Sequence, residues 1–146
     1  MLLKRLAFFS LCVFLLAAGV SCTRSDPQAA LDAAVKSLQT SLEKKDADAV
    51  MALLHPDFSA QQSENDLEWA RQTMRLMFLR YKNIHIVVFS QNSRISDRAG
   101  SVAATDAEVA LTGAEGLIPD SARHYHVKLD WRLMDKQWKL IGLRWE

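Results

Sequence analysis

From Arg123 to Leu133 apolar and polar residues alternate without a break. Tyr125, Val127, Leu129, Trp131 and Leu133 fall on one side, and His124, His126, Lys128, Asp130 and Arg132 on the other. A period of two over this length marks a half-buried antiparallel strand. Its partner, reached through Asp135-Lys136, runs from Gln137 to Trp145, with Trp138, Leu140 and Gly142 on one face and Ile141, Leu143 and Trp145 on the other. A strand apolar on both faces is expected to lie centrally or to be covered on both sides. If the helices leave the second row uncovered, it predicts a homodimer through the sheet or a partner protein. Further upstream, Ile84 to Phe89 is dense in β-branched residues and Ser93 to Ser96 continues it beyond a bulge. Asp97-Arg98-Ala99-Gly100 reads as a turn. Ser101 to Thr112 alternates again, with Ala103, Thr105, Ala107, Val109 and Leu111 together and Asp106 and Glu108 opposite. Gly113 to Ala122, with two glycines and Pro119, reads as a loop.

The first half of the chain has the other period. Leu31, Ala34, Val35, Leu38 and Leu42 recur at helical spacing, while Asp32, Lys36, Gln39 and Glu43 fill the remaining face, so residues 27–44 are predicted as an amphipathic helix. Asp26 caps it and Pro27 occupies its first turn. A shorter helix is expected after Asp46 or Asp48, with Ala49, Val50, Leu53 and Leu54 inward, and it ends before Pro56 in a turn, His55-Pro56-Asp57-Phe58. A third helix is expected from Ser63 to about Lys82, with Asp66 as the acidic member of a capping box. Its stripe holds Leu67, Ala70, Met74, Met77, Phe78 and Tyr81, widened by Trp69, Leu76 and Leu79, with Arg71, Arg75 and Arg80 on the wet side. Three helices followed by four antiparallel strands predict an α+β fold. The helices pack on one face of a curved four-stranded, or slightly larger, antiparallel sheet.

Composition changes this picture at the N-terminus. The chain has 146 residues, 49% hydrophobic and 24% charged, which fits one globular domain. Lys4 and Arg5 precede an uncharged apolar run from Leu6 to Gly19 that is too short to span a bilayer, the pattern of a signal peptide over residues 1–21. Of the two cysteines Cys12 lies inside that run, so Cys22 remains alone and no disulfide framework is expected. The stretch Ala18-Gly19-Val20-Ser21-Cys22 resembles the lipobox of bacterial lipoproteins, although Gly19 stands where leucine is usual. The resemblance implies a diacylglycerol on Cys22, an anchor and short tether over residues 22–26, and a domain over 27–146. An ordinary secretory signal cut near Ser21 is the alternative. More than one acyl chain makes membrane anchoring stable, whereas a single chain binds only marginally. By resemblance to enterobacterial lipoproteins, Thr23 in place of an aspartate after the cysteine implies the outer rather than the inner membrane, on the periplasmic side of the cell envelope.

Loss of residues 1–21 removes Lys4 and Arg5 and no acids, leaving 16 basic against 17 acidic residues. A near-neutral domain without a basic stripe excludes nucleic acid as a partner, because counterion release needs clustered cations.

The run from Leu38 through Glu43, Ala47, Ala49-Val50 and Leu53-Leu54 to Pro56-Asp57-Phe58 resembles the opening of nuclear transport factor 2-like domains. Trp138-Lys139-Leu140 followed by Leu143 and Trp145 resembles their closing strand. The resemblance covers residues 27–146. It implies a cone whose sheet wraps the long helix, a cavity at the wide end and dimerisation through the outer face of the sheet. The matching residues are packing residues, so no reaction follows from them.

Candidate chemistry is thin. His124 and His126 share a face, but Lys128 and Arg132 share it too and would repel a cation, so no metal site is assigned. His55 stands at a helix end, where it is expected to meet the last carbonyls. An isomerase-, dehydratase- or cyclase-like reaction needs a base in the cavity, with Asp57 or His85 as candidates and Tyr125 as an oxyanion donor. The alternation leaves both orientations of His85 open. No nucleophile elbow, phosphate loop, zinc or haem motif is present, and no cofactor is implied. The favoured reading is therefore a non-catalytic, membrane-tethered domain that binds a small apolar ligand or an envelope protein. Trp69, Met74, Met77, Tyr125 and Trp131 are the expected lining.

Overall fold

The computed structural model describes residues 26–61, 65–114 and 123–146. The leader, Cys22 and its tether, the expected helix start at Ser63 and most of the loop before Ala122 lie outside the described residues.

Helix α1 spans Pro27–Glu43, and the Asp26 carboxylate accepts from the Gln28 N–H at 3.0 Å. Leu31, Val35 and Leu38 are buried, as the spacing predicts. The helix ends where Lys45 turns left-handed at φ 56° and the Asp46 N–H reaches back to the Ser41 carbonyl. Asp46 then caps α2, Ala47–Leu53, through the Ala49 N–H. Helix α3 spans Leu67–Arg80, later than expected, because Asp66 is itself the cap, accepting from the N–H groups of both Glu68 and Trp69. Its expected stripe is also too wide: Leu76 and Leu79 are 61% and 87% exposed.

The sheet has five strands, within the four or slightly more expected, and is mixed rather than antiparallel. They are β1 (Leu54–Ala60), β2 (Asn83–Ile95), β3 (Val102–Ala114), β4 (Arg123–Met134) and β5 (Gln137–Trp145), in the order β1-β5-β4-β3-β2, curved and unclosed. The extra strand is the stretch His55 to Phe58 that reads as a turn. It lies at the sheet edge, parallel to β5, and pairs only at Leu54 with Leu140, Ser59 with Gly142 and Ala60 with Leu143. A proline lacks the N–H for a regular ladder and is tolerated on such an edge, so Pro56 disguises the strand in the sequence. The β4–β5 hairpin turns at Asp135-Lys136, both at positive φ (49° and 64°), as a two-residue turn matched to strand twist requires.

Two bulges decide which residues face the helices. In β2 the register with β3 shifts between Val88 and Ser90, so Phe89 is unpaired and the inward set changes from Ile86 and Val88 to Gln91 and Ser93. In β5 the register shifts opposite Asp130 and Trp131, so Ile141 is the extra residue. Trp138 and Leu140 face the helices before the bulge, and Leu143 and Trp145 face them after it. The expected outward row of Ile141, Leu143 and Trp145 therefore does not exist. A slip of one residue exchanges the two faces of a strand, and the bulge supplies that slip. Gly142 is the residue turned outward instead, directly beneath Asp130, whose carboxylate would lie 2.8 Å from any β-carbon placed there.

Trp131, Leu31, Leu140 and Trp138 fill the narrow end of the molecule, all nearly or wholly buried. The Trp138 indole donates to the Pro27 carbonyl at 3.1 Å and ties the start of α1 to the closing hairpin. Along its length α1 also covers the free edge of β2. Gln28 and Gln39 donate to the carbonyls of Ser93 and Ile86, and Glu43 accepts from the Ile86 N–H at 2.9 Å. Gln39 and Glu43, expected on a solvated face, are the polar rail that holds the helix to this edge.

Candidate functional site

Between the helices and the wide half of the sheet lies a cavity of about 550 Å³, within the range of small-molecule sites. The C-terminal half of α1 contributes Val35, Leu38 and Leu42, and α3 contributes Trp69, Ala70, Met74 and Met77. The sheet floor is built from Ile86 and Val88 on β2, Ala107 and Val109 on β3, Tyr125 and Val127 on β4, and Leu143 and Trp145 on β5. Small residues make the room: Ala70 and Ala107 stand where larger side chains would fill the space. Trp69 and Trp145 close one side as a stacked pair, centroids 6.3 Å apart and planes 15° from parallel. The Asp66 cap fixes the first turn of α3, and the Ile141 bulge turns Trp145 inward to meet it.

Four of the five residues expected to line a site, Trp69, Met74, Met77 and Tyr125, do line this cavity. Trp131 does not. Its indole is fully buried in the narrow end and donates to the Thr105 hydroxyl at 3.2 Å, which in turn shares a hydrogen bond with Ser93 at 2.9 Å.

The catalytic candidates lie elsewhere. The Asp57 side chain is 77% exposed at the sheet edge, outside the cavity, because its neighbour Phe58 takes the inward position. His55 is buried beside it and accepts from the Asp57 N–H through Nδ1 at 3.0 Å, rather than serving the end of a helix. His85 is exposed, alternating with the inward Ile86, so its orientation is settled as outward. His124 and His126 lie on the outer face among carboxylates of neighbouring chain segments. His124 is 3.4 Å from Glu108, and His126 is 3.2 Å from Glu146 and 3.8 Å from Asp106. Among the described residues no group of three or more histidine, cysteine, aspartate or glutamate side chains is placed to hold a metal ion.

Among the described lining residues, then, Tyr125 is the single titratable side chain, and none is an acid, histidine, lysine or arginine. The remaining polar groups are the side chains of Gln39, Thr73 and Gln91 and the indole N–H donors of Trp69 and Trp145. Gln39 is held by Ile86 and Lys36, whereas the side chains of Thr73, Gln91 and Tyr125 make no hydrogen bond to any described residue. Thr73 and Gln91 were not foreseen as site residues. Thr73 sits one helical turn from Trp69 and Met77 and was legible from that spacing, but Gln91 enters the cavity only because of the Phe89 bulge.

An α+β cone with a curled five-stranded sheet and an apolar cavity is the class that this geometry defines. Comparison with solved structures shows which cone. A protein described as a dehydratase-like member of the nuclear transport factor 2-like family from Streptomyces avermitilis superposes with a TM-score of 0.70 at 11% identity, covering 81% of this chain and 93% of that one. The hexachlorocyclohexane dehydrochlorinase LinA-type3 of Novosphingobium barchaimii superposes with a TM-score of 0.65 at 12% identity, covering 81% and 84%. Bd1075 of Bdellovibrio bacteriovorus superposes with a TM-score of 0.68 at 10% identity, and the chain spans only 40% of that protein's length. No protein-family model matches the chain, and no curated protein sequence does. The chain has the nuclear transport factor 2-like fold, as the packing residues around Pro56 and Trp138 led us to expect. The set of similar structures includes both enzymes and proteins of unknown function, so the fold carries no reaction with it.

Proposed function

We propose that this chain is a lipid-anchored lipoprotein of the bacterial cell envelope whose cone binds a small apolar ligand without transforming it. The observation that carries the reading is the cavity lining. It is aliphatic, aromatic and methionine-rich, with no carboxylate, imidazole or amine among its described residues. Proton abstraction or elimination needs a positioned base with a matched pKa, and neither Asp57 nor His85 reaches the space. The runner-up, a small isomerase, dehydratase or cyclase, is favoured by the enzymes among the similar structures and would rest on Tyr125 alone. The anchor rests on the lipobox-like stretch ending at Cys22. Pro27 follows within a few residues and is pinned by Trp138, and the cavity lies along the other half of α1. A homodimer through the outer sheet face, if formed, uses Val87 and Phe89, 47% and 64% exposed, rather than Leu143 and Trp145.

Native mass spectrometry of the chain purified from its own host, without detergent exchange of its ligand, tests these points together. The expected spectrum carries an acyl increment that is lost in Cys22→Ala and a retained organic molecule that is lost in Ala107→Phe, which fills the cavity floor. An unmodified Cys22 would overturn the anchor, and a retained mass indifferent to Ala107→Phe would overturn the cavity as its site.

A further inference from the structure

We infer that the cavity selects an electrically neutral amphiphile, an apolar body carrying one uncharged hydrogen-bonding group such as a hydroxyl or carbonyl, and discriminates against the corresponding carboxylate or amine. This rests on the ligand-binding reading above and names its ligand class. Two observations carry it. The first is that no described lining side chain bears a charge, so an ionised group brought inside loses its hydration with no opposite charge to replace it. The second is that Thr73 and Tyr125, half-buried, and Gln91, exposed at the rim, border this space with their side-chain hydrogen-bonding groups uncommitted to any described residue. They arrive from three different elements, α3, β2 and β4, and the two strand residues are placed by separate devices. Tyr125 follows the plain alternation of β4, and Gln91 is turned inward by the Phe89 bulge. In the register of the sheet Gln91 pairs with Ala107, which pairs with Val127, two residues along the same face from Tyr125. Gln91 and Val127 therefore flank the small Ala107 side chain, and the Tyr125 phenol, opposite Val109, stands diagonal to it across an otherwise apolar floor.

These groups have the chemistry for a neutral polar function and not for an ion. A hydroxyl, an amide and a phenol each donate and accept, so together they satisfy a ligand hydroxyl or carbonyl in either role. A recognition site built from a few polar groups in an apolar wall fixes orientation through those groups and takes affinity from the wall. Removing the polar groups should therefore erase selectivity among neutral ligands of one shape and leave apolar affinity in place.

The test is displacement of a neutral naphthylamine fluorophore from the purified, detergent-free chain. The competitors are a primary alcohol, an alkane, a carboxylate and an alkylammonium of equal chain length, at a pH well above the carboxylate range so that both ions stay charged. The alcohol is expected to displace at a concentration at least about tenfold lower than either ion. It is also expected to beat the alkane, and the triple variant Thr73→Val, Gln91→Leu, Tyr125→Phe is expected to lose that second margin while retaining fluorophore affinity. A carboxylate or ammonium that competes as well as the alcohol would overturn the neutral-ligand inference while leaving apolar-ligand binding standing. Absence of fluorophore binding to the wild-type chain would overturn the ligand-binding reading itself. The comparison of ions with alcohol is made on the wild-type chain and stands whether or not the variant folds.

Discussion

Thr105 shows how one hydroxyl serves a buried aromatic. It is 1% exposed on the inner face of β3 and accepts the indole N–H of Trp131 while sharing a hydrogen bond with Ser93. Replacing a buried hydrogen-bond partner with an apolar isostere strands the other partner, at a cost of about 1–3 kcal/mol. Thr105→Val is expected to lose that amount in urea denaturation, and Thr105→Ser substantially less; equal stability of the valine variant and the wild type would refute the role. The alternation of β3 places Thr105 inside, so its burial was legible in the sequence. Its partner was not, because Trp131 lies 26 residues away and its place on the apolar face of β4 names no hydrogen-bond partner. At the β2–β3 turn, Asp97 accepts from the Ser101 hydroxyl at 2.7 Å and from the N–H groups of Ser101 and Val102. The Ser101 hydroxyl, and then the Val102 N–H, hold its carboxyl below the usual carboxylate range. A depressed folded pKa means a contribution that is present above the unfolded pKa and lost as pH falls through the lower, folded one. Amide exchange at Ser101 and Val102, followed by NMR and corrected for intrinsic rates, is therefore expected to stay flat through the ordinary carboxylate range and to rise only below it.

At the scale of elements, the three helices and four of the strands follow from hydrophobic spacing, β-branched density and capping residues. What periodicity misses has local causes. Strand β1 is hidden by Pro56, and the inward turn of Leu143, Trp145 and Gln91 is hidden by single-residue bulges at Ile141 and Phe89. The break after Phe89 was legible as a bulge but its register was not, and the one at Ile141 left no mark; each reverses every residue that follows it. The polar rail of α1 was misread for a related reason, since glutamine and glutamate on a helix face look solvated until a strand edge is set against them. Glu43 accepts the Ile86 N–H, and one such hydrogen bond is worth about 0.5–1.5 kcal/mol, or up to roughly tenfold in opening. Glu43→Leu is accordingly expected to raise hydrogen exchange of the Ile86 amide by about tenfold without changing that of Ala107 in the sheet interior. Unchanged protection at Ile86 would show that the edge is held by other means.

The whole molecule joins a narrow, tightly packed end to a wide, hollow one. The packed end holds Leu31, Trp131 and Trp138, with Pro27 tied to it by the Trp138 indole. The hollow end holds the cavity, and its residues are those of an ordinary core except that they do not meet. That distinction was not legible: from their spacing alone Met74 and Met77 read more readily as ordinary core than as lining, and the small residues Ala70 and Ala107 are what leave the space open. The candidate groups Asp57 and His85 were legible as residues but not as positions, and their exposure on the sheet edge and outer face leaves both outside the cavity. The most direct measurement is a titration of the purified chain with a neutral apolar fluorophore, read through the stacked pair Trp69 and Trp145 that closes the cavity. Saturable quenching of tryptophan emission in the wild type, reduced at least about tenfold in apparent affinity by Ala107→Phe in a chain of unchanged circular dichroism, is the predicted result. No saturable response in the wild type, or the same titration curve in both chains, would contradict it.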